Sequence, residues 1–522
     1  MSSNLTLTTT PSADQVITDA FETISKHDAA WILTNSFLIL TMQTGFALLE
    51  SGCVSSKSTA NIVIKNVVDI SLCGLTYWAV GFSNSFGRYP GRFVSTGTYF
   101  VTATDPKTMG SFYAKYVFQF SFATASTTIV SGAVAERMNI MAYAIFSVIN
   151  VLVYSIPCCW AWGDKGWLAE IGFFDFAGAG VVHLSGGASA LAGAIILGPR
   201  LGKFDRPQRG TSIKFPLWSL TGMFILWWAW MGFNCGSSFG VEHGLWKTAT
   251  WVACATINGS IGGGAVAVFA SLIHYRGSIE PAYVTNGILG GLVAVTANCA
   301  VVYPFEAVVS GAIGAGVAIG AMHLLELLKI DDPVGEAPVH GFAAVWGVLA
   351  VGIFGNNDTD LLSTSGGGLL HGGGFYQLGV QAVGAASLIL WSGTFAAVVF
   401  LALKFAGILR LTEDQERMGA DYSEHRVQGL NLIAVMEKVI EDMDLDQHNF
   451  ERVVSRILKA ASAESRALEA SQSDSSIGYG SANGNNGHNH NDVGSGKPHD
   501  NVTFEVEESP PTVGAPLRLR VG

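Results

Sequence analysis

Eleven runs of the 522-residue chain are long and apolar enough to cross a bilayer: near 31–50, 62–83, 114–135, 140–162, 176–198, 215–238, 249–273, 281–304, 306–328, 338–356 and 378–404. A hydrocarbon core about 30 Å thick takes about 20 such residues as helix. In lipid, every backbone polar group must be satisfied within the segment itself. The pattern therefore predicts an all-α polytopic membrane protein. Composition agrees, because 13% of residues are charged against roughly 25% in a soluble domain. The 62 glycines are scattered through the apolar runs, where small residues let helices approach closely. Cys53, Cys73, Cys158, Cys159, Cys235, Cys254 and Cys299 lie in or beside those runs and read as small buried hydrophobes, without zinc-like spacing. The net charge of −11 comes with no basic stripe, which argues against a nucleic-acid partner.

An odd number of spans puts the two ends on opposite sides. The loop 199–214, PRLGKFDRPQRGTSIK, holds five Lys/Arg against one Asp and should face the cytoplasm. That places the N-terminus outside and the C-terminus inside. The first residues lack the pattern of a cleaved signal peptide. Asn4, in Asn4-Leu5-Thr6, is then an accessible glycosylation sequon, whereas Asn501 in an equally good sequon is not. Four regions follow: an extracytoplasmic segment (1–28), a transmembrane domain (29–408), a cytoplasmic C-terminal region (409–465) and a tail (466–522). Within the third, Leu430, Ile433, Met436, Val439 and Ile440 recur with a helical period. The tail is rich in Ser, Gly, Asn and His and cannot bury a core. Its His/Asn cluster at 488–491 reads as solvated, not as a metal site.

One apolar run carries an ionisable ring. In DFAGAGVVHLSGGASALAGAII (175–196), His183 follows Asp175 by eight residues. A shift of 157 residues matches Asp175, Gly178, Val182 and His183 with Asp332, Gly335, Val339 and His340. A shift of 187 matches Trp31, Leu33, Thr34, Phe37, Gly45 and Phe46 with Trp218, Leu220, Thr221, Phe224, Gly232 and Phe233. The fold expected is thus eleven transmembrane helices, arranged as two inverted five-helix halves plus a last helix. Eight residues of helix span about 12 Å, so rings entering from opposite faces of a core about 30 Å thick would approach near its middle. A lone buried histidine is more often a packed core residue. A pair at equivalent depth favours function.

These features, with the motifs DFAGAGVVH (175–183), GFNCGSS (232–238), DDPVGEAPVHG (331–341), GAVAERM (132–138) and RLTEDQERMGAD (410–421), resemble the ammonium transporter family (Amt/Mep/Rh), and within it the Amt branch. The resemblance runs from about 30 to about 430; the loops around 86–110 and 357–375 match poorly. It implies a plasma-membrane homotrimer in which each subunit encloses a narrow pore for ammonium or ammonia. Neither an enzyme nor a cofactor is implied. The family's outer recruitment site falls on Phe118, Trp162 and Ser237, with Asp175 supporting it. Its phenylalanine gate falls on Phe122 and Phe233, and its pore histidines on His183 and His340. Trp230 and Asp332 are taken as supporting residues.

The chemistry suits those residue types. An indole face attracts a cation, more strongly as water is removed, and a serine hydroxyl accepts N–H bonds. Taken alone, Trp162 is equally an interfacial belt residue, Asp175 a helix cap, and the phenylalanines core. Paired neutral imidazoles can donate on one side and accept on the other, passing ammonia or a proton. Potassium has no proton to lose, so such a site would discriminate by acidity. The sequence leaves open whether transport is electrogenic, and whether the protein is instead a sensor signalling through its C-terminal region. The stretch 411–425, LTEDQERMGADYSEH, resembles the family's segment beneath a neighbouring subunit. Ser423 within it is a candidate phosphorylation site beside Asp421 and Glu424, where about −1.5 to −2 added charges would displace the segment.

Overall fold

The computed structural model describes residues 24–205, 213–357, 364 and 366–427. Asn4, Asn501, the helical period after 430 and the tail lie outside them. Ser25 opens α1 (Lys26–Cys53) with a capping box, its hydroxyl accepting from Asp28 N at 3.0 Å. There follow α2 (Thr59–Phe86), α3 (Met109–Ala133), α4 (Ile140–Trp162), α5 (Ala179–Leu197), α6 (Pro216–Gly236), α7 (Leu245–His274), α8 (Pro281–Thr296), α9 (Pro304–Leu327), α10 (Ala337–Phe354) and α11 (Tyr376–Phe405). Among the described residues, 8 helices are long and apolar enough to cross a membrane, and α8 is a shorter apolar one. Polar residues facing inward lower the hydropathy of α3, where Gln119, Ser121, Thr124, Ser126, Thr127, Thr128 and Ser131 are all buried. The described residues contain no strand beyond two isolated bridges.

The eighth apolar run differs from expectation. Hydropathy carries it on to 304, yet α8 stops at Thr296. Residues 297–302 turn inside the protein, fully buried. The helix can end there because another segment takes its last carbonyls: Phe176 N donates to Ala297 O and Ala177 N to Thr296 O, both at 3.1 Å. A second correction concerns the cysteines, since Cys254 is exposed while the other six are buried. It faces outward from α7.

Glycine lets the helices touch. On α6, a Cβ at Gly222 would stand 2.3 Å from Leu49 N of α1; on α9, one at Gly311 would stand 2.0 Å from Gly259 O of α7. Backbone therefore packs on backbone at these crossings. Both α5 and α10 begin with a π-helical turn, over Ala179–Leu184 and Ala337–Phe342. In the first, His183 N donates to Gly178 O, five residues back. In the second, Ala343 N reaches Pro338 O, again five back.

The chain beyond α11 folds back onto the helix ends in two short helices, α12 (Glu413–Met418) and α13 (Ala420–His425). Asp421 accepts from Asn61 N at 2.7 Å and Ala60 N at 3.1 Å, and Glu424 accepts from Ile140 N at 2.7 Å. Two carboxylates thereby cap the first turns of α2 and α4, satisfying free N–H groups and opposing their positive dipole ends. Between those acids, Ser423 donates its hydroxyl to Gly419 O at 2.9 Å. Nearby, Arg200 joins Glu136 and Asp331 in one ion-pair cluster.

Candidate functional site

Two aspartates shape the site through the backbone. Asp175 accepts from Gly178 N at 3.0 Å and from Gly180 N and Val181 N at 2.9 Å each. Gathering three N–H groups on one carboxylate requires a left-handed residue, and Gly178 has φ +100°. Asp332 repeats the device before α10, accepting from Gly335 N at 2.9 Å and Ala337 N at 2.8 Å, with Gly335 at φ +95°. The Trp162 indole donates to Asp175 O at 2.8 Å, so the cap of α5 also fixes that ring.

Trp162 lines a cavity of about 210 Å³ with Phe118, Phe122, Ser237, Phe86, Gln119, Phe176 and Phe239. The Ser237 hydroxyl donates to Phe233 O at 3.0 Å, which leaves its lone pairs for an incoming donor. At the cavity's inner end Phe122 and Phe233 stack, with centroids 4.1 Å apart and planes at 10°. Both are essentially fully buried, and Phe118 packs on Phe122 at 4.7 Å.

Beyond the stack lie the histidines. His183 packs 5.3 Å from Phe233 and lies parallel to Trp230 at 4.9 Å. Trp230 is locked by its indole N–H, which donates to Thr296 Oγ1 at 2.9 Å. Nδ1 of His183 lies 3.0 Å from Nδ1 of His340. One ring must donate and the other accept across that contact. His183 Nε2 is buried without a hydrogen-bond partner among the described residues. The repeat reaches the packing as well, since Phe46, the counterpart of Phe233, lies 6.0 Å from His340.

The structure thus brings together Phe118, Phe122, Trp162, Ser237, Phe233, His183, His340 and Trp230. Asp175 stands behind Trp162 as a cap, Asp332 caps α10, and Ser423 lies apart on α13. Sequence reasoning missed Phe86, Phe176 and Phe239 on the cavity wall, which come from three separate segments without a shared spacing. It also missed Glu336, whose Oε2 lies 3.3 Å from His340 Nε2. An i, i+4 pairing of Glu336 with His340 was the signal available. Among the described residues no cluster of three or more His, Cys, Asp or Glu could hold a metal ion.

Residues 30–430 match the model of the Ammonium Transporter Family. The chain belongs to the ammonium transporter family. Among relatives of these ammonium transporters, the Caenorhabditis elegans protein named "Putative ammonium transporter 3" is 39% identical over 461 residues, covering 86% of this chain and 66% of the relative. Ammonium transporter 3 of Dictyostelium discoideum is 33% identical over 410 residues, 76% of this chain and 93% of the relative. A solved structure named Sensor Amt Protein aligns with a TM-score of 0.70 at 33% identity, over 78% of this chain and 99% of its own.

Proposed function

We propose that the chain moves ammonium across a membrane, as a homotrimer of subunits that each span the bilayer eleven times in two inverted halves plus a last helix. The observation carrying this reading is the His183–His340 contact at 3.0 Å, directly behind the stacked Phe122 and Phe233. An ammonium ion leaves water against the faces of Trp162 and Phe118 and donates to Ser237, with the Asp175 carboxylate behind adding negative potential. None of the groups it touches is charged, so it is held loosely enough to proceed. Past the stacked rings it loses water. An alkylammonium titrates at about 10.4 in water, and burial lowers such a value by up to about 3–5 units. The ion then yields a proton to His183, and ammonia passes along the imidazoles. Potassium, lacking such a proton, is rejected. The test is nitrogen uptake recorded together with current in proteoliposomes of the purified full-length chain; absence of both would remove the transport reading.

A second reading, an ammonium sensor signalling through the C-terminal region, is favoured by the likeness to the structure named Sensor Amt Protein. Tight ammonium binding without uptake would select it.

Trp162→Leu removes the cation–π face and the indole bond to Asp175 while keeping apolar volume. A face worth about 0.5–2 kcal/mol corresponds to a roughly twofold to thirtyfold rise in the half-saturating ammonium concentration. An unchanged concentration dependence would count against the recruitment role. The orientation proposed, N-terminus outside, has its own check. Expressed through a secretory pathway, the protein should carry glycan on Asn4 and none on Asn501; a glycosidase-sensitive shift that disappears in Asn501→Gln, and not in Asn4→Gln, would reverse the topology.

A further inference from the structure

Phe239, on the wall of the outer cavity, has a backbone conformation that a bulky residue rarely adopts. Its φ is +53°, in the left-handed region where such side chains are outliers. It lies in the loop 237–244 between α6 and α7, and that loop is tied to α1 on both sides of the ring. Before it, the Ser238 hydroxyl accepts from Trp31 Nε1 at 3.1 Å. After it, Val241 N and Glu242 N donate to Asp28 Oδ1 at 2.6 and 2.9 Å. Asp28 is 3% exposed, and its other oxygen accepts from Ser25 N at 3.4 Å in the capping box of α1. Glycine at 240 lets the carboxylate approach, since a Cβ there would stand 2.3 Å from Asp28 Oδ1. His27 pairs with Glu242 across the same junction.

These ties fix where the Phe239 ring stands. Rings touch in the order Trp162, Phe122, Phe118 and Phe239, with centroids 5.9, 4.7 and 5.0 Å apart. All four border the cavity of about 210 Å³, together with Ser237. Phe118 and Phe239 meet edge-on at 61°, whereas Phe122 and Phe233 stack at 10° and cover each other's faces. Packing alone gives no reason to hold a phenylalanine at positive φ, because glycine would relieve the strain. Such strain persists only where surrounding contacts over-determine it, and it gathers at functional sites.

We infer that Phe239 is a further binding residue of the recruitment site, a third aromatic face beside Trp162 and Phe118, and that Asp28 is its positioning residue. The inference rests on the transport reading above. The three faces come from α4, α3 and the loop 237–244, so they converge on one cavity without any shared spacing. A phenylalanine face attracts a cation through its quadrupole and offers no hydrogen bond. The N–H groups of the ion therefore stay free for Ser237 and for water. A neutral amine gains nothing comparable, so the added face selects the charged form. Asp28 touches no ion; it acts by holding two N–H groups of the loop, and through them the ring.

The test is the concentration dependence of isotopic ammonium uptake by the full chain in proteoliposomes, per assembled protein. Phe239→Gly removes the ring and the backbone strain together. Its half-saturating concentration should rise about twofold to fivefold, the scale of a partly exposed cation–π face, and by more than its maximal rate falls. A residue that only packs would lower the amount of assembled protein and leave the half-saturating concentration alone. Phe239→Leu, which keeps apolar volume without the aromatic face, repeats the test if the glycine variant does not assemble. Asp28→Ala frees the loop and should raise the half-saturating concentration in the same range. Asp28→Asn keeps an oxygen for Val241 N and Glu242 N while giving up the bond to Ser25 N, so it should lie closer to the parent. A half-saturating concentration equal to the parent's in the assembled Phe239 variant, while Trp162→Leu raises it, overturns the inference and leaves transport standing. Asp28→Asn as impaired as Asp28→Ala overturns the positioning role. A parent that takes up no ammonium overturns both readings.

Discussion

Replacing either His183 or His340 with alanine should reduce ammonium-driven current by on the order of a hundredfold per assembled protein, the scale on which a positioned acid or base contributes. The double variant should be little worse than the worse single. The reason is the direct contact of Nδ1 with Nδ1 at 3.0 Å: a line of two rings is broken by the loss of one. Residues acting as a unit depart from additivity in this way, whereas independent packing residues add. Both rings are buried and both lie parallel to Trp230, so each truncation also leaves a cavity that costs some stability. Current must therefore be normalised to correctly assembled protein. Losses in the double that equal the product of the singles, and that follow protein abundance, would show two structural histidines and no relay.

The second large effect concerns Arg200, far from the histidines. Its Nε and Nη2 donate to Asp331 at 2.8 and 3.0 Å, its backbone N donates to the same carboxylate at 2.9 Å, and Nη1 pairs with Glu136. The Asp331 side chain is 1% exposed and that of Glu136 10%. Arg200→Ala leaves two carboxylates with little water, a loss of roughly 3–5 kcal/mol at neutral pH. Burial pushes the Asp331 carboxyl up, but the Arg200 charge and hydrogen bonds outweigh it and hold the group at about 2. An unfolded Asp titrates at about 3.9. The folded value is the lower one, so this stabilisation is complete above about pH 4 and is lost as pH falls towards 2. The gap in thermal midpoint between parent and variant should narrow over that window. Arg200→Lys, which keeps charge but not the two-pronged geometry, should fall between them. A neutral-pH gap below about 1 kcal/mol would place the cluster among ordinary surface pairs.

How legible the site was in the sequence depended on whether its signal was local. Asp175 and His183, eight residues apart, announce themselves because ionisable residues are rare in apolar runs, and the 157-residue shift to Asp332 and His340 doubles that signal. Phe118, Phe122 and Phe233 were singled out only by their motifs, since a phenylalanine in an apolar helix has many packing reasons to be there. Glu336 lies inside DDPVGEAPVHG (331–341), where the two aspartates and the histidine are the more conspicuous residues. Its pairing with His340 is an i, i+4 signal within the motif, whereas its close approach to Gly132 of α3 joins residues that no spacing connects. The helices were readable from hydropathy, with one informative failure. The run through 281–304 stays apolar to its end, but α8 stops at Thr296, where the backbone N–H groups of residues 176 and 177 donate to the carbonyls at its end. Hydropathy reports what a segment can bury, and says nothing of where a neighbouring chain will take its hydrogen bonds.

Of the four π-helical stretches among the described residues, two in α2 and one each in α5 and α10, the last two have a historical consequence. A π-turn is an α-helix with one residue too many, and both α5 and α10 carry it around the histidine. Two unrelated insertions, in separate helices, each spanning a histidine and lying within one residue of the histidines' 157-residue offset, would be a double coincidence. One insertion in an ancestral half-length gene, followed by duplication and fusion, accounts for both. On that descent the ancestor already held an aspartate cap, a left-handed glycine and a histidine in a widened turn, and it would have formed its pair of rings by dimerising with a second copy of itself.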